Sequence, residues 1–386
     1  MKNVIMIIFS IISILLIAVF IFDYALKVRH NLSRFHIGRW SNRQEWSNAA
    51  ERKAVRWLKH TPTVPLTDNF RYVLIDILCG KYRSPVVQSW QSAGLLLGLS
   101  NSPNSAARYI AHNWAKSQLD INGMWKNPVH KVDFAMLSYA VLKLAENPNH
   151  IRPAMDWTAQ MLKENLCADG MISYSQGQDS SIRFVDTLGM VCPFLALYGT
   201  VYQKDEFLQL AIHQLQEFRK VGLLPNTSLP CHAIDMASKL PLGIYGWGRG
   251  TAWYAIALLD TYYALPDTCQ NELKIWIDSA AKEYELYQQS GGGFSTIMQG
   301  GGQYDSSVTS VMAYFYASCS TVLHNPHYKD IADRCLDRLM LSTMKDGAID
   351  LCQGDTHGIG CFSQTFDIMP FAQGTVLRAI SEMRKI

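Results

Sequence analysis

Charge is scarce in this chain of 386 residues. Asp, Glu, Lys and Arg together make up 17%, against about 25% in an ordinary soluble domain. Part of the deficit is one N-terminal apolar run, and the rest implies a large interior that a chain of this length can bury in one domain. Strand-like alternation of apolar and polar residues is also scarce, so the pattern points to helices. The nine cysteines are odd in number and lack any Cys-x-x-Cys spacing, which argues against a disulfide framework or a zinc site. Cys352 and Cys361 stand too far from other ligand residues to hold a metal, and free, mostly buried thiols are expected.

The small positive net charge of +3 is not spread over the chain. Residues 24–59 hold nine Lys/Arg against only Glu45 and Glu51, whereas residues 60–386 hold 25 basic and 29 acidic residues. The globular part therefore carries no nucleic-acid footprint, and the basic stretch suits a solvated helix face in contact with lipid headgroups.

What the chain does have begins at Val4. Residues 4–22 form an uncharged run that as a helix would span roughly 28 Å, close to the hydrocarbon thickness of a bilayer. A cleaved signal peptide is the rival, but the run is long for one and no Ala-x-Ala site follows. The expectation is a single-pass anchor over 1–23 and a basic connector over 24–40. Lys27, Arg29, Arg34 and Arg39 outnumber Lys2 and the amino terminus, so the positive-inside rule favours a cytoplasmic C-terminal domain, with the periplasm as the alternative.

From residue 41 to 386 helical spacing dominates, as in Phe134, Leu137, Ala140, Val141 and Leu144. Helices are expected over 43–59, 69–79, 85–99, 103–118, 132–146, 151–166, 185–203, 205–220, 250–264, 269–288, 306–323, 327–342 and 364–384. Glycines followed by small or apolar residues at Gly123, Gly170, Gly222, Gly293 and Gly347 punctuate successive helix pairs, and a period near fifty residues means stacked helical hairpins. Such a series can stay open or close on itself. The long loops 168–183, 221–248, 289–304 and 343–362 are rich in Gly, Ser, Gln and aromatics, and loops of that length are usually functional.

The densest stretch is Gly246 to Tyr254, which crowds three Gly, two Trp and an Arg into nine residues. Glycine lets a backbone approach a ligand, Trp supplies a stacking face and Arg a fork matched to a carboxylate. The ordinary explanation is a Gly-rich turn into a buried helix. Upstream, Asp186 and Asp133 each stand at the start of an apolar helix. Helix capping explains both; so does acid/base chemistry, because a carboxyl among Phe184, Leu188 and Met190 can have a raised pKa. His232 is either polar surface or a binding residue.

His232-Ala233-Ile234-Asp235 and Trp247-Gly248-Arg249-Gly250-Thr251-Ala252-Trp253-Tyr254 resemble segments of the unsaturated uronyl hydrolases, glycoside hydrolase families 88 and 105. Asp186-Thr187 resembles that family's Asp-Thr motif. The resemblance implies an all-α (α/α)6 barrel of helical hairpins after the transmembrane helix. It also implies Asp186 as catalytic acid/base with Asp133 as second essential Asp, and substrate contacts from His232, Trp247, Arg249, Trp253 and Trp90. Segments 303–307, 352–354 and 358–360 are similar to family segments near the pocket. The implied partner is an anionic oligosaccharide, and the implied reaction is protonation and hydration of a C4=C5 enol ether, which needs neither a metal nor an organic cofactor. An inverting hydrolase of a saturated glycoside, and a non-catalytic membrane-tethered glycan-binding protein, are the alternatives. Two features depart from the family: a membrane helix is uncommon there, and Thr251-Ala252 stands where Asn-Gly is frequent.

Overall fold

The computed structural model describes residues 2–62, 68, 71–79, 88–174 and 181–386. Residues 69–70 and 85–87 of the expected helices, and 175–180 of an expected loop, lie outside these. The described chain is mostly helical, and the expected helices from 43 onward appear with ends shifted by a few residues, except that 364–369 of the last one are not helical and include a strand at 366–367.

Six helices form an inner ring: α4 (Ser89–Ser100), α6 (Phe134–Lys143), α8 (Val185–Tyr202), α10 (Gly248–Ala264), α12 (Ser306–Val322) and α14 (Pro370–Met383). Each touches the next, and α14 returns to α4, so the series closes. Outside it lie α2 (Arg43–Lys59), α5 (Ser105–Ser117), α7 (Arg152–Glu164), α9 (Asp205–Gly222), α11 (Asn271–Glu285) and α13 (His327–Leu341). Sequence separates the two layers. Outer helices keep one apolar stripe, as Phe207, Leu208, Ala211, Leu215 and Phe218 do on α9, whereas α10 and α12 are buried on nearly every side. α8 is long and apolar enough to cross a membrane, but its residues are packed in the ring.

Close approach in the ring depends on missing side chains. A Cβ at Gly374 would lie 1.9 Å from the Gly94 carbonyl oxygen, and one at Gly98 would lie 2.2 Å from that of Gly374, so α4 and α14 meet backbone to backbone. Inside the ring, Arg378 donates to Asp260 at 2.9 and 2.5 Å and to the Tyr314 hydroxyl at 2.6 Å, and Tyr314 donates to Asp260 at 2.8 Å. These buried groups join α14, α10 and α12.

The glycine series needs correction. After the outer helices a tight turn carries a left-handed residue, and these are Gly123, Gly170, Asn226, Gly292 and Gly347. Gly222 and Gly293 are neighbours of the turn, not its left-handed residue; Asn is the non-glycine residue that tolerates this conformation best.

α1 (Lys2–Ser33) is one exposed helix, so residues 24–33, expected as connector, continue it. Beyond its end Arg34 clasps the buried Asp350 at 2.5 and 2.8 Å and donates to the Phe366 carbonyl at 2.7 Å. Short strands occur at the mouth of the ring. β1 (Ile182–Phe184), β2 (Ala233–Asp235) and β3 (Leu240–Leu242) pair antiparallel with Arg183 opposite Ile234 and Ile234 opposite Pro241. β4 (Cys352–Gln353) pairs with β5 (Phe366–Asp367).

Candidate active site

The inner helices begin at the mouth, and their first turns carry the candidate residues. Asp186 is the second residue of α8, immediately after β1. β2 follows His232, and the Val185 N–H donates to the His232 carbonyl at 3.0 Å. The β1–β2 pairing thus brings together two residues 46 apart in sequence. Trp247 and Arg249 open α10, and Trp90 opens α4.

The cavity there has a volume of about 340 Å³ and is lined by Trp90, Asp186, His232, Trp247, Arg249 and Trp253, a size within the roughly 300–1,000 Å³ of small-molecule sites. Six of the seven expected residues line it; Asp133 does not. A wider groove of about 890 Å³ between the ends of α9 and α11 contains none of them, and the Glu283 carboxylate in it is occupied by the Ser228 amide.

Asp186 is not a cap. The cap position of α8 is Phe184, Asp186 lies within the first turn, and its Oδ1 is buried without any hydrogen-bond partner. Burial raises its pKa to about 7, the nearby Arg249 charge opposing and the Asp355 charge assisting. A carboxyl lacking donors but walled by apolar groups prefers to keep its proton. Asp133 stands just before α6, also without a capping bond and with an orphaned Oδ1. Burial raises its pKa to about 6, Lys131 opposing and Asp355 again assisting. The like charge felt at Asp186 is therefore that of Asp355, not of Asp133. Tyr174 stands among all three carboxyls, and burial together with their charges raises its pKa.

His232 is buried, and desolvation followed by the Arg249 charge lowers its pKa to about 4, so the ring is neutral near pH 7. The Gly360 N–H donates to Nδ1 at 3.3 Å, which leaves the ring proton on Nε2 and makes that atom a donor. The ring packs against Trp247 at 4.6 Å and Phe362 at 5.6 Å. Trp90, Trp253 and Phe371 form an aromatic cluster, with Trp253 stacked on Phe371 at 4.8 Å and Trp90 edge-on to Trp253 at 5.5 Å.

The Gly-rich stretch works differently from the expectation of close ligand approach. The space a side chain would need is taken by protein: Ser295 oxygen lies 2.5 Å from a Cβ at Gly248, and the Trp247 ring 2.8 Å from one at Gly250. Arg249 is likewise engaged, donating to the Gln353 carbonyl at 2.7 Å and to the Gly354 carbonyl. The Trp247 indole donates to Gln353 Oε1 at 3.1 Å. Arg249 and Trp247 thereby hold the segment after β4, which carries Asp355, Thr356, His357 and Gly358 into the cavity lining. Asp305 braces the same segment by accepting from the Gln353 amide at 3.1 Å.

Sequence reasoning missed Asp355, although it named the segments on either side, 352–354 and 358–360. It also missed Tyr174 and Gln88, whose amide donates to Asp355 at 2.7 Å. Their signal was weak because each is a single polar residue in a loop. Among the described residues no cluster of three or more His, Cys, Asp or Glu side chains is arranged to hold a metal.

No curated protein matches the chain. Solved structures do. A possible member of family 105 from Salmonella enterica serovar Paratyphi A is 16% identical, with 90% of this chain and 95% of that one covered and a TM-score of 0.72. An unsaturated glucuronyl hydrolase specific for heparin is 16% identical over 88% and 98%, with a TM-score of 0.65. The unsaturated glucuronyl hydrolase of Bacillus sp. GL1, responsible for the degradation of glycosaminoglycan, is 14% identical over 88% and 96%, with a TM-score of 0.64. At these identities the likeness is one of fold. Residues 89–386 match Glycosyl Hydrolase Family 88, more than half of the chain, and the protein accordingly belongs to that family of glycoside hydrolases.

Proposed function

We propose that the enzyme hydrolyses oligosaccharides ending in an unsaturated uronic acid, with Asp186 as the proton donor. The observation that carries this reading is the Asp186 carboxyl: orphaned at Oδ1, raised to about 7 and set in an aromatic cavity beside Arg249. Near neutrality such a group is present in both states, which suits a residue that must first give and then take a proton. Asp186 protonates C4 of the C4=C5 enol ether, and positive charge develops at C5 and the ring oxygen. Water adds at C5 and returns a proton to the Asp186 carboxylate. The hemiketal then opens and the aglycone leaves, with one water consumed. Asp133 and Asp355 supply negative charge that stabilises the cationic transition state. The remaining N–H groups of Arg249 and Nε2–H of His232 bind the sugar's carboxylate or hydroxyls, and the Trp90, Trp247 and Trp253 rings face the sugar.

The test is a panel of lyase-generated unsaturated oligosaccharides beside their saturated counterparts. Loss of the ultraviolet absorbance of the C4=C5 bond is expected with the first and no turnover with the second. Turnover of saturated glycosides alone would support an inverting pair instead, and binding without turnover a glycan-binding protein.

The same reading takes α1 as an uncleaved single-pass anchor that holds residues 41–386 on the cytoplasmic face. Its support is the exposed apolar surface of residues 4–22 and the Lys/Arg excess that follows. A reporter fused at the C-terminus decides the side; strong activity of a periplasmic reporter, or a mature chain starting near residue 23, would reject it.

A further inference from the structure

The short helix α3 (Val73–Leu78) contributes nothing to the ring and packs beside α1. The Asp23 carboxylate, one residue past the apolar run, accepts from the Tyr72 and Val73 amides at 2.6 and 3.0 Å. The Phe20 and Tyr72 rings lie 6.2 Å apart. α3 is therefore fixed at the level where the apolar run of α1 ends. Asp76 is buried toward the protein, while Ile75, Ile77 and Leu78 are 43%, 39% and 76% exposed. Tyr72, 45% exposed, opens the same segment. Three large aliphatic residues turned outward, beside an aromatic with a polar tip, match the chemistry of a membrane interface. The exposed Lys27 and Arg29 follow on α1 at headgroup level.

We infer that α3 is a second membrane contact, its Ile75, Ile77 and Leu78 seated in the interfacial layer of the bilayer that α1 crosses. The occupant of this apolar face is lipid because Asp23 and Phe20 bind its helix to α1 where the apolar run ends, which sets the exposed aliphatic residues of α3 beside the apolar surface of α1. This rests on the reading of α1 as an anchor. Its consequence reaches the active site. Asp68, a few residues before α3, accepts from the Ser363 hydroxyl at 2.5 Å and the Gln364 amide at 2.8 Å, and pairs with His357 at 3.2 Å. Arg34 clamps both flanks of the same excursion through Asp350 and the Phe366 carbonyl. The rim of the cavity is thus tied to α1 eleven residues after Asp23, roughly 16 Å along the helix. Two contacts with the bilayer, rather than one swivelling anchor, set the cavity's orientation to the membrane surface.

Cys79, exposed at the end of α3, is a native reporter position. The full chain carrying Cys361→Ser, Cys167→Ser and Cys269→Ser is labelled there with an environment-sensitive fluorophore and placed in nanodiscs of phosphatidylcholine and phosphatidylglycerol. The expected result is a blue-shifted emission that lipids spin-labelled near the headgroup quench more than lipids labelled deep in the tail. Ile12→Cys, labelled in a Cys79→Ser background, reports on the anchor and should show the reverse order. Water-like, unquenched emission at Cys79 with Ile12→Cys quenched would overturn the role of α3 and leave the anchor standing. An unquenched Ile12→Cys would reject the anchor, and this inference with it. A shielded Cys79 label that no lipid quenches would mean that protein covers the face, which also overturns the proposal.

Discussion

At the scale of one residue the proposed function rests on Asp186, whose unpartnered oxygen makes opposite demands on that function and on stability. On the proposed function Asp186→Asn keeps the shape but cannot donate a proton, so turnover should fall by about 10²–10⁴, measured on whichever oligosaccharide of the panel the wild type turns over best. Its effect on stability has the other sign. A carboxyl whose folded pKa is raised to about 7 supports the fold fully below its unfolded value, and that support is lost as pH rises through 7. The melting temperature of Asp186→Asn relative to wild type should therefore rise between about pH 4 and pH 7. A helix cap would give the opposite: a lower melting temperature at neutral pH and normal turnover. Arg249→Lys keeps the charge but loses the planar fork that holds the Gln353 and Gly354 carbonyls. The rim should loosen, and kcat/KM should fall by the equivalent of about 1.5–3 kcal/mol; activity within twofold of wild type would remove Arg249 from the site.

Helices α4 and α14 illustrate what decides packing at the scale of elements. They approach until glycine backbones touch, and a methyl group at Gly374 has only the Gly94 carbonyl and Leu95 amide to push against. Backbone in two packed helices cannot yield as a side-chain tip can. Gly374→Ala should cost about 3 kcal/mol, the upper end of the usual overpacking range, read as a shift in denaturant midpoint. The strands at the mouth obey a different logic. Three-residue strands are too short to show alternation in sequence, yet the β1–β2 pairing sets His232 against the start of α8.

Closure of the ring is a property of the whole molecule, and the buried Asp260–Arg378–Tyr314 group is one place where distant parts of the chain meet. The Asp260 pKa is lowered: burial alone would raise it, and the Arg378 charge and hydrogen bonds outweigh burial. Such a carboxylate stabilises the fold above its unfolded pKa, and the contribution is lost as pH falls below that value. Asp260→Ala leaves Arg378 buried and uncompensated, so it should destabilise by about 3–5 kcal/mol. Replacing both partners with apolar residues should recover much of that loss. Equal destabilisation of the single and double variants in urea titrations would count against a paired role.

The helices from 43 onward were legible because their apolar spacing is long and regular, and the period near fifty residues marked them as stacked hairpins. The dense 246–254 stretch stood out through rare residue types in close order, and the Asp-Thr pair through its resemblance to a family motif; both lie at the mouth of the ring. What composition and spacing left open was where each side chain spends its bonds. The glycines beside Trp247 admit protein rather than ligand, Arg249 grips a loop a hundred residues away, and Asp355 rather than Asp133 supplies the charge felt at Asp186. Those outcomes depend on residues brought together only by the tertiary fold, because hydrogen-bond reach and charge act over a few ångströms of space and take no account of separation along the chain.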